Sequence, residues 1–583
     1  MNTDYTEFQI DTRYAEQILY TLYGVIGHAT KLYEDIDFNF KITTENYETY
    51  LLKISKTTVD NGYLDYQQQL LQYFQATNKK LNTPIAILDV NGSPISSFID
   101  DFANEHKVRL LTYLEGNSWS DISEKSVELY QKLGKQCALS IKALSGFDHI
   151  KAHRKFDLDI LEANWTKNFF SLFNKSEQKK LVHFLENFNG ELEEIQKLRK
   201  GIIHNNIHDE NILVENIDEK PSIFAVVNYK NAIYSTLINE LAVAIAYAVY
   251  GKKDVLRIAL PMIEGFHKKL LIQENEINHL PSLISMRLII NLVKVKIDLE
   301  QNPNNKELQE IVESIWIALK SIYELNPNFV IYSFRKKCDF PAHPNYYKFK
   351  KWALKNSQEI SDLFPTLNKN DYAFIDMSVN SNWDVKRYNN KRVAKTELTK
   401  YKKKFPDSII TGGYLEERCV YDTKAYKNSN DNSYRSIHLG LDFWVKEDTP
   451  VHALFDGKVV ILHNNAAEKD YGPTIVLEHR ADRNFVFYTL YGHMTRDSLN
   501  FLRIGKRIRK GEIVGYVGHD NENGNWIPHL HFQVILDLLG NTTNFPGVAF
   551  KNERSTWKNI CPNPLLLFQK KMVNTQMNLA LEF

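Results

Sequence analysis

A chain of 583 residues with 43% hydrophobic and 25% charged residues has the composition of an ordinary soluble globular protein and is long enough for several domains. A formal net charge of +1 gives no electrostatic argument for nucleic acid or an anionic membrane surface, and no apolar run approaches the roughly 20 residues that span a bilayer. The start MNTDYTEFQIDTRYAEQILY lacks the basic and apolar regions of a secretory signal, and Cys137, Cys338, Cys419 and Cys561 form no CxxC pair, so cytoplasmic residence without a disulfide framework or cysteine metal site is expected.

In chain order, LYGVIGHATKLYEDIDFNFKI from Leu22 predicts a glycine-containing hairpin at Gly24 and Gly27, followed by a strand ending in Lys53. That is the layout of a nucleotide-covering loop and a phosphate-pairing lysine. Further on, GIIHNNIHDENILVENIDEKPSIFAVVNYKN carries His204 to Asn211, a strand, a turn and a second strand through Val227. This order resembles the catalytic and metal loops of the aminoglycoside phosphotransferase-like kinases, in the hydroxylysine-kinase branch, whose pattern reads approximately IHNDxNDxN and then IDFGD. VRLLTYLEG from Val108 and INELAVAIAYAVYGKKD from Ile238 are similar to the same branch, so the resemblance covers about residues 15–330.

The resemblance implies an α+β bilobal kinase-like domain with an N-lobe at 1–115 and a helical C-lobe at 116–330, and ATP with Mg²⁺ as its cofactors. Lys53 and Asn211 match the phosphate lysine and the second metal ligand, and both remain. Asn206 stands at the catalytic aspartate, Asn228 at the metal-binding aspartate, and Asn231 at the last aspartate of IDFGD. A neutral amide neither takes a substrate proton nor offsets Mg²⁺ charge, and loss of a general base costs about 10²–10⁴ in rate. A degenerate kinase that holds a nucleotide or small ligand is therefore expected.

Between Val255 and Leu325 apolar residues recur at helical spacing and predict packing helices. Residues 331–410, with Pro341, Pro344 and a charged run from Lys386 to Lys404, are expected to form a connector, and His343 has no partner at ligand spacing. After Thr411 short strand-like runs alternate with tight turns at Asp456-Gly457, Arg480 to Asn484 and Lys510-Gly511, predicting an antiparallel β-domain over 411–568 and a tail at 569–583.

That domain contains RSIHLGLDFWV, FYTLYGHMT and WIPHLHFQV. His438 and Asp442 are four apart, and His529 and His531 two apart, in residues of strand type. Two imidazoles and a carboxylate converging from two strands suit a tetrahedral Zn²⁺ site with one position open. HLGLD, TPVHALFDGKVV, YTLYGH, RIRKGEIVGYVG and PHLHFQV follow in the order of the LytM/lysostaphin-type zinc endopeptidases, which this region resembles from about Tyr414 to Phe550. The resemblance implies His438, Asp442 and His531 as zinc ligands and His493 and His529 as the histidines that handle protons. The ending CPNPLLLF also resembles the front part of fusion proteins in which a class III aminotransferase follows these two modules, a module for which no sequence remains here.

The expected protein is thus multidomain: a kinase-like domain that binds a nucleotide or small ligand, joined to a zinc peptidase or amidase acting on a peptide or small-molecule amide, with no nucleic-acid or membrane partner. Two alternatives stay open. One is a phosphotransferase acting on a small hydroxylated amine or amino acid, in which positioning and electrostatics carry the transfer. The other is a non-catalytic scaffold bearing zinc.

Overall fold

The computed structural model describes residues 10–32, 37–77, 81–217, 220–421, 426–427, 433–483 and 485–569. The expected tail therefore lies outside the described residues from 570 onward. The chain divides into two compact units, Met1–Leu325 and Asn326–Phe583. No described helix is long and apolar enough to cross a membrane.

The first unit opens with helix Thr12–Tyr23, capped at its start by the Asp11 side chain. Gly24 ends that helix at φ 65°, so it is a left-handed C-cap and not part of a hairpin. The hairpin instead pairs His28–Lys31 with Asp37–Thr43, and Lys53 sits inside strand Thr49–Ser55, not at its end. These strands continue into Glu105–Thr112, forming the centre of a six-stranded antiparallel sheet.

Alternation sorts the side chains of that sheet. Phe38, Phe40, Ile42, Leu52, Ile54, Val108 and Leu110 form one buried core with helix Thr12–Tyr23. The register Asn39↔Lys53↔Arg109 puts those three polar residues side by side on the other face. Strand Lys200–Ile203 leads into the Asn205-Asn206 loop, a 3₁₀ turn at Asp209–Asn211, and the hairpin of Ile212–Ile217 with Lys220–Val226, which delivers Asn228. Helices Ile238–Ala248, Val255–His267, Glu274–Gln301 and Lys306–Glu324 pack in the same unit, as their apolar spacing predicts.

The second unit is built on an eight-stranded sheet in the order Asp371–Phe374, Ser408–Gly412, Leu441–Phe443, Leu530–Ile535, Phe485–Gly492, Gly472–Asp482, Gly457–Asn465, Arg507–Ile508. All its pairs are antiparallel except the first, Asp371–Phe374 with Ser408–Gly412. Helix Lys391–Lys404 lies in the crossover that this parallel pair requires.

Residues 331–410, expected as a connector, thus belong to the folded body of this unit. The reason is local: Phe349, Trp352 and Ala353 recur at helical spacing on helix Tyr346–Lys355 and pack in the main core with Phe443, Phe487 and Phe532. His343 is buried, and its Nδ1 accepts from the Asn345 backbone N–H at 3.1 Å.

Candidate metal centre

His438 and Asp442 do not share one strand. The chain breaks at Leu439-Gly440, so that Ile437–His438 pairs with Val548–Ala549 while Leu441–Phe443 enters the main sheet. Gly440 makes the break possible, because a Cβ there would collide with the imidazole of His531. In the main sheet Asp442 lies directly opposite His531, and Gly492 flanks His531 on the other side. His493 follows Gly492 at φ 63°, a left-handed conformation uncommon for a non-glycine residue and found at functional sites. His529 sits just before strand Leu530–Ile535.

The resulting geometry is compact. His438 Nε2 lies 2.9 Å from His531 Nδ1, and each is 3.3 Å from Asp442 Oδ1. Among the described residues, this is the cluster of His, Cys, Asp and Glu whose ligand atoms come close enough to hold a metal. A tetrahedral ion with bonds of about 2.0–2.1 Å has ligand atoms about 3.3 Å apart, so the triangle fits one zinc with a fourth position left over. The three residues are 1–3% exposed.

Neighbouring groups select the nitrogens. The His438 Nδ1–H donates to the Gly413 carbonyl at 2.9 Å, leaving Nε2 as a lone pair. The His531 Nε2–H donates to Gln533 Oε1 at 3.0 Å, leaving Nδ1 toward the cluster. Gln533 is itself oriented, since its Nε2 donates to the Pro546 carbonyl at 3.1 Å and to Cys561 Sγ at 3.2 Å. Such outer partners fix tautomer and ring angle at metal sites.

Asp442 Oδ2 accepts from Arg418 Nη1 at 2.7 Å, and Arg418 Nε donates to Glu416 Oε2 at 2.7 Å. Burial alone would raise the Asp442 pKa, but the His438 imidazole and the Arg418 guanidinium hold it well below the usual carboxylate range. Burial, with help from Arg418, pushes His438 down to about 4, so its imidazole is neutral at neutral pH.

The other two histidines stand alongside. His493 donates from Nδ1 to the Asn523 carbonyl at 2.9 Å, and His529 from Nδ1 to the Ile527 carbonyl at 2.6 Å. Their rings are 4.4 Å apart, and His529 Nε2 is 3.7 Å from Asp442 Oδ1. Burial depresses both pKa values, so each keeps an unprotonated Nε2. All five residues line one cavity of about 140 Å³ walled by Tyr421, Tyr471 and Trp526.

Lys53, Asn206, Asn211 and Asn228 belong to the first unit, where they line a cavity of about 510 Å³. Lys53 Nζ bonds Asn39 Oδ1 at 2.8 Å and Asp37 Oδ2 at 3.0 Å, while Arg109 Nη2 reaches the same Asp37 oxygen at 2.9 Å. Burial would raise Asp37, but Arg109 and Lys53 together hold it at about 2. Asn228 takes φ 67°, which asparagine tolerates, and its Nδ2 donates to Asn211 Oδ1 at 3.1 Å.

Four residues of these sites carry no motif. Arg287 lies in the apolar run SMRLII and reaches Asn206 Oδ1 through Nη2 at 3.0 Å; a charge inside such a run is the available signal. Gln533 follows His531 by two on the same strand face, so the alternation contains it. Arg418 and Gly413 have no such pattern.

Comparison with known proteins places two families on this chain. The model of peptidase family M23 matches residues 436–543, and that of the phosphotransferase enzyme family, APH, matches residues 28–266. Hydroxylysine kinase of Xenopus laevis is 24% identical over 339 residues, 53% of this chain and 89% of the relative. Glycyl-glycine endopeptidase ALE-1 of Staphylococcus capitis is 30% identical over 106 residues, 18% of this chain and 26% of the relative. Lysostaphin of Staphylococcus staphylolyticus is 29% identical over 107 residues, 18% of this chain and 20% of the relative. The chain therefore spans about a quarter or less of these two peptidases.

Proposed function

Because the chain carries an APH phosphotransferase domain followed by a peptidase family M23 domain, we propose that its second unit is a zinc-dependent hydrolase of a peptide or small amide. We propose also that its first unit binds a nucleotide or small ligand without efficient phosphoryl transfer. In this reading His438 Nε2, Asp442 Oδ1 and His531 Nδ1 are the zinc ligands, and His493 and His529 handle protons.

The observation that carries the reading is the triangle of 2.9, 3.3 and 3.3 Å between three buried ligand atoms, two of them imidazole nitrogens whose lone pairs are left free by a hydrogen bond at the other ring nitrogen and the third an oxygen of a carboxylate held through its other oxygen by Arg418. Zinc, when bound there, supplies Lewis acidity that polarises a scissile carbonyl. The chain supplies the rest. Tyr471 and Trp526 wall the cavity and limit water around the reacting bond. His529 and His493, each anchored through Nδ1–H, can take a proton at Nε2 as water adds to the carbonyl carbon. The same nitrogens can return it to the leaving amine as the C–N bond breaks.

The test is hydrolysis across a broad peptide and amide panel with the full chain loaded with zinc. His529→Ala and His493→Ala should each keep the metal and lose about 10²–10⁴ of the rate. A zinc-loaded wild type that cleaves nothing in the panel would favour the scaffold reading. For the first unit, the phosphotransferase alternative draws on Lys53, Asn206, Asn211 and Asn228 lining one cavity. ATP consumption in the presence of a hydroxylated amine would decide for it.

A further inference from the structure

The cavity at the candidate metal centre does not end at the histidines. A second hollow of about 250 Å³ adjoins it, and Tyr388, Trp444, Glu468, Lys469 and Trp526 line both. Two of these shared residues also stand against the histidines: the Trp444 ring lies 4.6 Å from that of His529, and the Trp526 ring 6.2 Å from that of His493. A substrate whose scissile bond lies at these histidines has a continuous path past the two tryptophans into the second hollow.

The outer wall of this hollow comes from chain that precedes the metal motifs. Tyr388 and Asn389 end helix Val385–Asn389, and Lys391 starts helix Lys391–Lys404, the crossover of the parallel strand pair. This segment lies outside residues 436–543, which carry the family match. It is nonetheless fixed to the site. Tyr388 packs in one core with Tyr421, Trp444 and Val548, and Lys469 Nζ donates to Asn389 Oδ1 at 2.7 Å.

Charge in the hollow is positive. Among the described residues that line it, Lys391 and Lys469 face one carboxylate, that of Glu468. Glu468 Oε1 already accepts from Asn525 Nδ2 at 3.4 Å, and Lys469 Nζ lies 4.5 Å from the centre of the Trp526 ring, beside the aromatic wall. Lys391 Nζ donates to Asp520 Oδ2 at 3.1 Å and to Asn525 Oδ1, two of the three bonds an ammonium can donate. Asp520 does not neutralise Lys391 alone, because Lys395 Nζ stands 4.0 Å from the same oxygen.

We infer that the second hollow is a substrate subsite that holds a carboxylate of a peptide, which accepts from Lys391 Nζ beside Lys469 while the peptide chain runs over Trp444 and Trp526. The inference rests on the proposal that the second unit is a hydrolase of a peptide or small amide, and it narrows that substrate to an acidic peptide. A few fixed polar groups on an aromatic wall are the ordinary means of orienting such a ligand, and the charge-assisted bond supplies the selectivity. A small neutral amide would fill the cavity at the histidines and leave the hollow empty.

The experiment is calorimetric titration of the zinc-loaded full chain carrying His529→Ala, which slows cleavage, with C-terminally amidated Ala-Gly heptapeptides through which one Glu or one Gln is walked. At one position of the walk Glu should bind about fivefold or more tighter than Gln. The Gln peptides as free acids test the other source of a carboxylate: a preference for the free terminus over the amide would put the terminal carboxylate in the hollow. Adding Lys391→Ala should bring either ratio to about one, whereas a folding defect would weaken all peptides and leave the ratios in place. Equal binding of the Glu, Gln and free-acid peptides, or a preference that survives Lys391→Ala, would overturn the inference, and cleavage of the Gln peptides by wild type would then show that the hydrolase reading still stands. No binding and no cleavage of any peptide would overturn both.

Discussion

Asp442 has two oxygens with different duties: Oδ1 faces two imidazole nitrogens, and Oδ2 is held by Arg418. His531 is similarly divided between the cluster and Gln533. Gln533→Ala should therefore weaken zinc binding by about 10–100-fold while the fold persists, as measured by competition with a chromogenic chelator. An unchanged affinity would show that His531 needs no such orienting partner. Glu240 supplies a pH prediction. Burial raises its pKa to about 7 against the opposing backbone N–H groups of Asn205 and His204. A carboxyl with a raised folded-state pKa contributes stability that is complete below its unfolded value, near 4.5, and is lost as pH rises toward about 7. His204 and His208, pushed down to about 4 chiefly by burial, have the opposite sign across this range. The difference between wild type and Glu240→Gln isolates Glu240: the variant should gain relative stability from pH 4.5 to 7, by at most about 3 kcal/mol. At this scale the motif histidines and Asp442 are legible because residue type and spacing announce them. Arg418 and Arg287 act through tertiary contacts 24 and 81 positions away, which no spacing encodes.

Among elements, the decisive feature is the interruption between Ile437–His438 and Leu441–Phe443. A continuous strand would put positions four apart on one face but several ångströms from each other along the chain. The break instead lets His438 turn back over Asp442, with Gly440 packed under the His531 ring. Gly440→Ala should cost about 1–3 kcal/mol by overpacking and reduce metal occupancy together with stability, as measured by denaturant unfolding with and without zinc. The break is not visible in HLGLD itself, where alternation reads as one strand. The parallel edge pair is hidden for another reason. Prolines and lysines in 331–410 suggest a linker, whereas the aromatic positions that bury helix Tyr346–Lys355 are few and separated by lysines. In the first unit, Gly24 could serve a hairpin or a cap, and only the preceding helix Thr12–Tyr23 decides for the cap.

At the scale of the whole molecule, the order of motifs makes the two-part organisation legible, and the chain divides at Leu325 and Asn326 into units with separate cores. Each unit also contains its own cavity, one lined by histidines and Asp442, the other by amides and bases. Ligands should therefore act on the units separately: zinc should raise one unfolding transition of the full chain and ATP the other, each by about 2.7 kcal/mol at a hundredfold excess over Kd. Calorimetry with each ligand alone checks this, and one transition responding to both would contradict it. What separates a hydrolase from a scaffold is substrate turnover, but both require the metal. The most direct measurement is the zinc content of purified, folded full-length protein after dialysis against zinc, compared with Asp442→Ala. The account predicts about one zinc per wild-type chain and nearly none in the variant. A folded wild type without zinc, or a variant that retains it, would contradict it.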